Sequence, residues 1–166
     1  MSLRPQLVAL PGYADRPADV HFCGHCGRRA ALEAAQPSSR VCASCELGLL
    51  IGAPPQLAPA PGDSFLLVDS TLSVCGVSAL AEELLGMPET EAVNRHFNEL
   101  LVPADAEASS PGDLVNLLLH AARGDAAMSD VVVRPTSEYG IRYWARIGPC
   151  GPPRAALVVL SDGRIR

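Results

Sequence analysis

The sequence predicts an α+β fold: a five-stranded antiparallel sheet with helices gathered on one face, preceded by a small separate module. Two observations lead to this prediction. From residue 63 onward, the apolar pattern runs as two strands, several short helices, one longer helix and three strands, with turn residues between them. Before residue 53, four cysteines stand in two pairs, and a proline-rich stretch separates them from the rest.

Four segments are therefore expected. Residues 1–20 form an irregular N-terminal arm, 21–52 the cysteine-containing module, 53–62 a stiff extended linker, and 63–163 the α+β domain.

The composition narrows the function classes. The chain of 166 residues has a net charge of −5, and its basic residues, all arginine, form no run. Because a nucleic-acid surface needs clustered cations, this balance argues against nucleic-acid binding. No apolar stretch approaches the ~20 residues that cross a bilayer, and residues 7–10 are too few for a signal segment. We therefore expect a cytoplasmic protein with no membrane contact.

The two cysteine pairs carry the most specific chemistry. Cys23, Cys26, Cys42 and Cys45 have the spacing C-x2-C-x15-C-x2-C, typical of two turns that present four thiolates to one tetrahedral ion. The closed, all-sulfur set predicts structural Zn²⁺, although iron uses the same ligands. Disulfides would need an oxidising compartment, and a thioredoxin-like pair would open a helix in a βαβ unit.

The surroundings of these cysteines add detail. Gly27 is expected to take a positive φ that lets N–H groups point at sulfur, and Gly48 to serve the second turn in the same way. His21 and His25 are expected to support the site or lie on the surface rather than replace a thiolate.

The module has little apolar material of its own, apart from an apolar helix-like turn at residues 46–51. Its folding should therefore depend on the metal. Cys42→Ser is expected to release the metal and unfold only the first third of the chain.

The α+β domain opens with a predicted hairpin, followed by helices. Residues 65–68 and 72–77 are its strands, and residues 69–71 supply the turn. Ser78 caps the next helix, which Gly86 ends. That helix has an apolar stripe of Leu80, Leu84 and Leu85.

Two short helical segments follow, at residues 88–93 and around 97–101. Asp113 caps a longer helix over 114–123, ended by Gly124. The last three predicted strands are residues 130–134, 141–147 and 155–160.

The element order and the stretch from Leu67 to Gly86, followed by residues 88–93 and 97–101, resemble the PAS sensory domain family over residues 63–162. The chain departs from the family at Cys75-Gly76-Val77, where a polar pair is common, and at Asn94, where glycine is common. The resemblance implies a cavity between sheet and helices that holds haem, flavin, a small metabolite or nothing, and it does not choose among them. The family's light-sensing branch is excluded, because residues 94–97 contain no cysteine.

Two histidines are candidates for a haem in that cavity, His96 in a connection and His120 on the longest helix. Helical geometry places His120 with Asn116, on the side opposite the apolar arc of Leu114, Leu117, Leu118, Ala121 and Ala122. His120 is therefore expected to face water.

The strand at 141–147 has two different faces. Ile141, Tyr143, Ala145 and Ile147 share the core side, which leaves Arg142, Trp144 and Arg146 on the outer side. Either the arginines stack on the indole, or this outer face is covered by the N-terminal helical turn, by the metal module or by a second subunit. In the PAS family this face often mediates dimerisation, so an interface is expected. Cys75 is expected to be a core thiol, and Cys150 to be exposed.

The leading hypothesis is a signalling or regulatory protein without enzymatic activity, whose PAS-like domain is coupled to a zinc-ribbon-like module. Output would pass through a protein partner, including a homodimer. A first alternative is a redox or gas sensor or electron-transfer protein, with iron at the cysteines or haem in the cavity. A second is a zinc-ribbon transcription regulator, favoured if Arg28, Arg29 and Arg40 converge on one face.

Overall fold

The computed structural model describes residues 19–30, 40–104, 111–125 and 128–162. The elements in chain order are β1 (Val20–Cys23), β2 (Leu50–Ala53), β3 (Ser64–Val68), β4 (Val74–Val77), α1 (Ala79–Leu85), α2 (Glu89–Ala92), α3 (Phe97–Leu100), β5 (Leu101–Pro103), α4 (Pro111–Arg123), β6 (Ser129–Pro135), β7 (Tyr143–Cys150) and β8 (Ala155–Asp162). Below, the described residues 20–53 are called the metal module and 63–162 the sheet domain.

The sheet domain contains one antiparallel sheet with the strand order β4-β3-β8-β7-β6-β5. The predicted α+β class with an antiparallel sheet is confirmed, but the sheet has six strands rather than five. The additional strand is β5, whose Leu101 pairs with Pro135. Three residues ending in proline show no alternation, so the sequence placed Leu101 in a helical turn; pairing with β6 makes it a strand.

Helices cover the inner face of the sheet and build the larger core. Leu66, Val158 and Ile147 of the sheet pack there with Phe97 of α3 and Leu118 of α4. Ser78 caps α1 as predicted: its hydroxyl accepts from the Ala81 N–H at 3.2 Å and from the Phe65 N–H at 3.0 Å. Gly86 ends α1 with a φ of 61°.

Two helix predictions need correction. Leu80 is 41% exposed, and Ala81 takes its place beside Leu85 on the buried side of α1. Asp113 lies within the first turn of α4 rather than before it, because the helix begins at Pro111. Proline is favoured in a first helical turn, since the amide that it lacks has no partner there.

The outer face of the sheet is partly covered by the metal module. Phe22 and Ile51 of the module form a second core with Phe65, Leu157 and Val159 of the sheet. Consequently every residue from Ala155 to Leu160 is buried on one face of the sheet or the other. This explains why that part of β8 is a continuous apolar run. Ile51 belongs to strand β2, so the helix-like turn predicted for residues 46–51 is wrong.

The proline-rich segment contributes to this second core. The Leu57 and Ala58 N–H groups donate to the Pro54 carbonyl at 2.9 Å each, which closes a turn. Both side chains are buried against the outer face. The segment expected to be an extended spacer therefore forms a turn at residues 54–58, because burial of its apolar side chains is more favourable in free energy than their exposure to water.

The β3–β4 connection is held by one carboxylate, Asp69. Its Oδ1 accepts from the Thr71 N–H at 2.8 Å, the Thr71 hydroxyl at 2.7 Å and the Ser73 N–H at 3.1 Å. Partial burial acts to raise the pKa of Asp69, but these hydrogen bonds outweigh it and hold the pKa below its ordinary value.

Asp69→Asn is expected to lower the free energy of unfolding at pH 7 by about 1 kcal/mol, because the amide oxygen accepts the same bonds without the charge. A depressed carboxyl pKa stabilises the fold above the unfolded-state value near 3.9, and this contribution is lost as pH falls through the folded-state pKa. Urea unfolding from pH 7 down to pH 3 should therefore show the difference between the two proteins shrinking below about pH 4. A difference that stays constant would contradict the charge effect.

Candidate metal centre

The four predicted cysteines converge at the end of the two-stranded sheet. Their Sγ atoms all lie within 4.8 Å of one another. Cys23 Sγ is 3.6 Å from Cys45 Sγ, and Cys26 Sγ is 3.9 Å from Cys42 Sγ. Four sulfurs at about 2.3 Å from a tetrahedral Zn²⁺ would be about 3.8 Å apart, so the set fits such an ion. The separations are well beyond the ~2.05 Å of a disulfide bond.

The first turn is built at the end of β1. Gly27 N–H donates to the Cys23 carbonyl at 3.0 Å, and Cys23 N–H donates to the Arg28 carbonyl at 2.9 Å. The His25 and Cys26 N–H groups both point at Cys23 Sγ, at 3.4 Å. Gly27 has a φ of 71°, as predicted.

The second turn repeats this arrangement with a different residue in the left-handed conformation. Glu46 N–H donates to the Cys42 carbonyl at 2.9 Å, and Ser44 N–H points at Cys42 Sγ at 3.4 Å. The positive φ, 57°, falls on Glu46, so the conformational role predicted for Gly48 is wrong. Gly48 is required for space instead. A Cβ there would lie 2.3 Å from Cys23 Sγ and 2.9 Å from the His25 nitrogen.

The four thiols differ in their electrostatic surroundings. Burial raises the pKa of Cys23 to about 12, and burial also raises the pKa of Cys26. The Gly48 and Leu47 N–H groups lower the pKa of Cys45 to about 6. A bound cation would favour the thiolate form of all four, and the N–H groups aimed at sulfur would stabilise that charge. With four protein ligands the set leaves no open position, which is typical of a structural site.

The first turn also contacts the sheet domain through His25. Its carbonyl accepts from the Ala79 N–H at 3.0 Å, at the start of α1. Its Nδ1 lies 3.9 Å from Glu89 Oε2, while Glu89 Oε1 accepts from the Val77 N–H at 3.1 Å. His25 thus lies beside the site and outside the ligand set, as expected. Sequence patterns did not connect Glu89 with this site, because Glu89 lies 63 residues after Cys26 in the chain.

The haem candidates lie on the surface. His96 is exposed and caps α3, where its Nδ1 accepts from the Asn98 N–H at 3.3 Å. His120 is exposed on α4, opposite the buried Leu118 and Ala121, as the helical geometry predicted.

The structure confirms only part of the face prediction for the strand at 141–147: β7 begins at Tyr143, so Ile141 lies before the strand and is 39% exposed instead of facing the core. Ala145 and Ile147 are buried, whereas Trp144 is 49% exposed. Arg146 donates to the Gln56 carbonyl at 2.9 Å and lies 3.6 Å from Asp63, so it holds the proline-rich segment. Arg142 is exposed and precedes β7.

For the two remaining cysteines, the predicted burial is reversed in the structure. Cys75 is exposed and is the extra residue of a bulge in β4, since Leu67 pairs with Gly76 and Val68 pairs with Val74. Cys150 is buried in the core under the metal module, and burial raises the pKa of its thiol to about 12. Cys150 was expected to be exposed because its neighbours suggested a turn, whereas the structure places it at the end of β7.

The three arginines of the module have different surroundings. Arg29 donates from its guanidinium to the Ala58 and Pro59 carbonyls, at 3.0 and 3.2 Å, and so helps to hold the proline-rich segment. Arg28 and Arg40 are exposed.

Within the described residues, no helix has the length and apolar character that a membrane span requires. Neither a family model nor a curated protein matches the sequence.

Solved structures do match, and the similar ones are PAS domains. The PAS domain of an HTR-like protein from Haloarcula marismortui has 14% identity and a TM-score of 0.45, over 61% of this chain and 86% of that one. The PAS domain of the Cronobacter turicensis RpfR quorum-sensing receptor in complex with BDSF has 10% identity and a TM-score of 0.48, over 63% and 97%. The PAS domain of nitrogen regulation protein NR(II) from Vibrio parahaemolyticus has 17% identity and a TM-score of 0.42, over 60% and 88%. This chain is thus similar to PAS domains over about three fifths of its length.

Proposed function

We propose that this chain is a cytoplasmic signalling or regulatory protein, in which a PAS-like sensor or interaction domain is coupled to a structural zinc module. It acts through protein–protein contacts rather than catalysis. The observation that carries the proposal is the convergence of four thiols in a module that packs on the outer face of the sheet. The motif resemblance of residues 63–162 supplies the signalling part.

The ligand chemistry supports zinc as the ion. A closed tetrahedral set of thiolates suits Zn²⁺, and metal-bound thiolates fit the reducing conditions of the cytoplasm. Bound zinc would cross-link β1 to the second turn and so stabilise the module. Iron would occupy the same sulfurs, which is the redox alternative.

Native mass spectrometry of the freshly purified protein, with an absorbance spectrum, tests this assignment. The expected result is a mass increase corresponding to a single Zn²⁺ per chain and no visible band. An absorption band between about 380 and 500 nm would favour iron or haem instead. A chain that retains no metal would contradict the proposal.

The composition of the helix–sheet core favours a role of the sheet domain in protein–protein interaction over a role in binding a polar ligand. Its helix–sheet core is lined by aliphatic side chains and Phe97. Among the described residues, Ser78 is the one polar side chain that is buried. Its hydroxyl already accepts two backbone hydrogen bonds. In the part of the chain that the structure describes, Trp144 is instead exposed on the outer face, with Arg142 and Arg146 two residues away on either side in the sequence, and both residue types are enriched at protein interfaces.

Trp144→Ala is expected to weaken self-association about 10- to 100-fold, since a half-exposed indole is a typical interface hot spot. Sedimentation velocity over a concentration series measures this effect. Leu80→Ala is the matched control, because Leu80 is also exposed and apolar but lies on helix α1. Equal association constants for the two variants would exclude this face as the dimer interface.

A further inference from the structure

Two groups of contacts join the metal centre to the sheet domain, and the first is polar. The carboxylate of Glu89 is placed between the first cysteine turn and strand β4: one oxygen accepts from the Val77 N–H, and the other faces His25 at 3.9 Å. The Glu89 N–H in turn donates to the carboxylate of Glu82 on α1. Beside it, the His25 carbonyl accepts from the Ala79 N–H. His25 lies between Cys23 and Cys26, so the corner formed by β4, α1 and α2 directly supports this turn.

The second group is apolar. Phe65 on the outer face of β3 meets Phe22 edge to face, with ring centroids 5.5 Å apart, and both rings are fully buried. Phe22 immediately precedes Cys23. The Phe65 ring also reaches the first turn itself, since its Cε1 lies 3.3 Å from the position that a Cβ on Gly27 would occupy.

We infer that Glu89 and Phe65 are positioning residues for the metal centre, so that metal retention and the seating of the module on the sheet form one coupled equilibrium. The inference rests on the proposed metal site. A contact present only in the seated, metal-loaded state must favour both seating and metal binding, and such coupling is reciprocal. Removing a sheet-domain contact should weaken metal retention, and removing the metal should loosen the corner at Val77 and Ala79.

The coupling gives the metal a regulatory consequence. The module covers Phe65, Leu67, Leu157 and Val159 on the outer face. Metal release would unseat this cover and present an apolar surface continuous with the sheet that carries Trp144. Binding and release of the metal would thus control whether part of the outer face of the sheet is exposed.

The first experiment measures the rate at which the full-length, zinc-loaded chain loses Zn²⁺ to an excess of a colorimetric chelator. Glu89→Ala should release zinc about 3- to 10-fold faster than wild type, as expected for the loss of one hydrogen bond and one partly exposed polar contact. Glu89→Gln, which keeps an acceptor for Val77, should restore most of the difference. Glu91→Ala is the matched control on the same helix, because Glu91 is exposed and its side chain is outside these contacts.

A second pair of variants tests the apolar contact. Phe65→Leu should release zinc at least about tenfold faster. Phe97→Leu is its control, since Phe97 is equally buried but lies in the core on the opposite face of the sheet. Both changes lower overall stability, and only the first should alter zinc release. With Co²⁺ in place of zinc, every variant should keep the tetrahedral thiolate absorption spectrum, which shows that the ligand set is intact.

Amide hydrogen exchange tests the reverse direction. Metal removal should reduce protection at Val77 and Ala79 at least about tenfold, while Leu118 in helix α4 keeps its protection. Zinc release at control rates from both Glu89→Ala and Phe65→Leu would overturn the coupling while leaving the metal site intact. If Phe65→Leu does not fold, Glu89→Ala alone decides. A wild-type chain that binds no metal would overturn the coupling together with the proposed function.

Discussion

Cys42→Ser is expected to reduce the metal content from a single ion per chain to almost none. A structural tetrahedral site depends on all of its ligands, and the hydroxyl of serine is a poor substitute for a thiolate. Metal analysis after gel filtration measures the effect. Cys75→Ser is the matched control, because Cys75 is exposed and lies outside the cluster of four. Equal metal content in the two variants would show that these cysteines do not form the site.

The same variant should affect more of the molecule than the module. The sequence alone led to the expectation that only the first third unfolds. Phe22 and Ile51, however, share a core with Phe65, Leu157 and Val159 of the sheet. Losing the module exposes these side chains, so the urea midpoint of the sheet should fall as well, as reported by the fluorescence of Trp144. An unchanged midpoint would show that the two parts are independent.

Gly48→Ala is expected to disrupt the centre almost as strongly, although it removes no ligand. The added Cβ would lie 2.3 Å from Cys23 Sγ and 2.8 Å from the His25 Cβ, and so requires the two turns to move apart. We expect metal affinity to fall about 100-fold or more, a cost comparable to severe overpacking.

Competition with a chelator of known affinity measures this loss. Ser44→Ala, in the same turn, is the control and should stay within about threefold, since the backbone N–H that points at Cys42 remains. A Gly48→Ala protein that binds the metal with wild-type affinity would show that position 48 needs no free space.

The convergence of the four cysteines was predictable because its signal is local. Two residues between cysteines allow one turn to present both sulfurs, whatever the rest of the fold does. The left-handed Gly27, the cap at Ser78 and the end of α1 at Gly86 were predictable for the same reason. Gly48 shows the limit of such reasoning. Its position suggested a positive φ, but its requirement comes from Cys23 and His25, which approach it across the site.

The expectations for the two remaining cysteines and for the proline-rich segment were wrong. Cys75 was expected to be buried, Cys150 to be exposed in a turn, and residues 53–62 to form an extended spacer. The module and the turn at 54–58 instead cover part of the outer face, so Cys150 is buried, while a bulge leaves Cys75 exposed. Alternation along one strand shows which residues share a face and does not show what covers that face.

By itself, the sequence determined the convergence of the four cysteines, the four helices and five of the six strands of the sheet domain, and the placing of Ala145 and Ile147 on the face opposite Trp144. Each of these follows from spacing and periodicity within a few residues. Only the tertiary structure decided that the module packs on the sheet, that Glu89 faces His25, and that Leu101–Pro103 completes the sheet. Such contacts join residues far apart in the chain, and their free energy depends on shape and burial that no local pattern encodes.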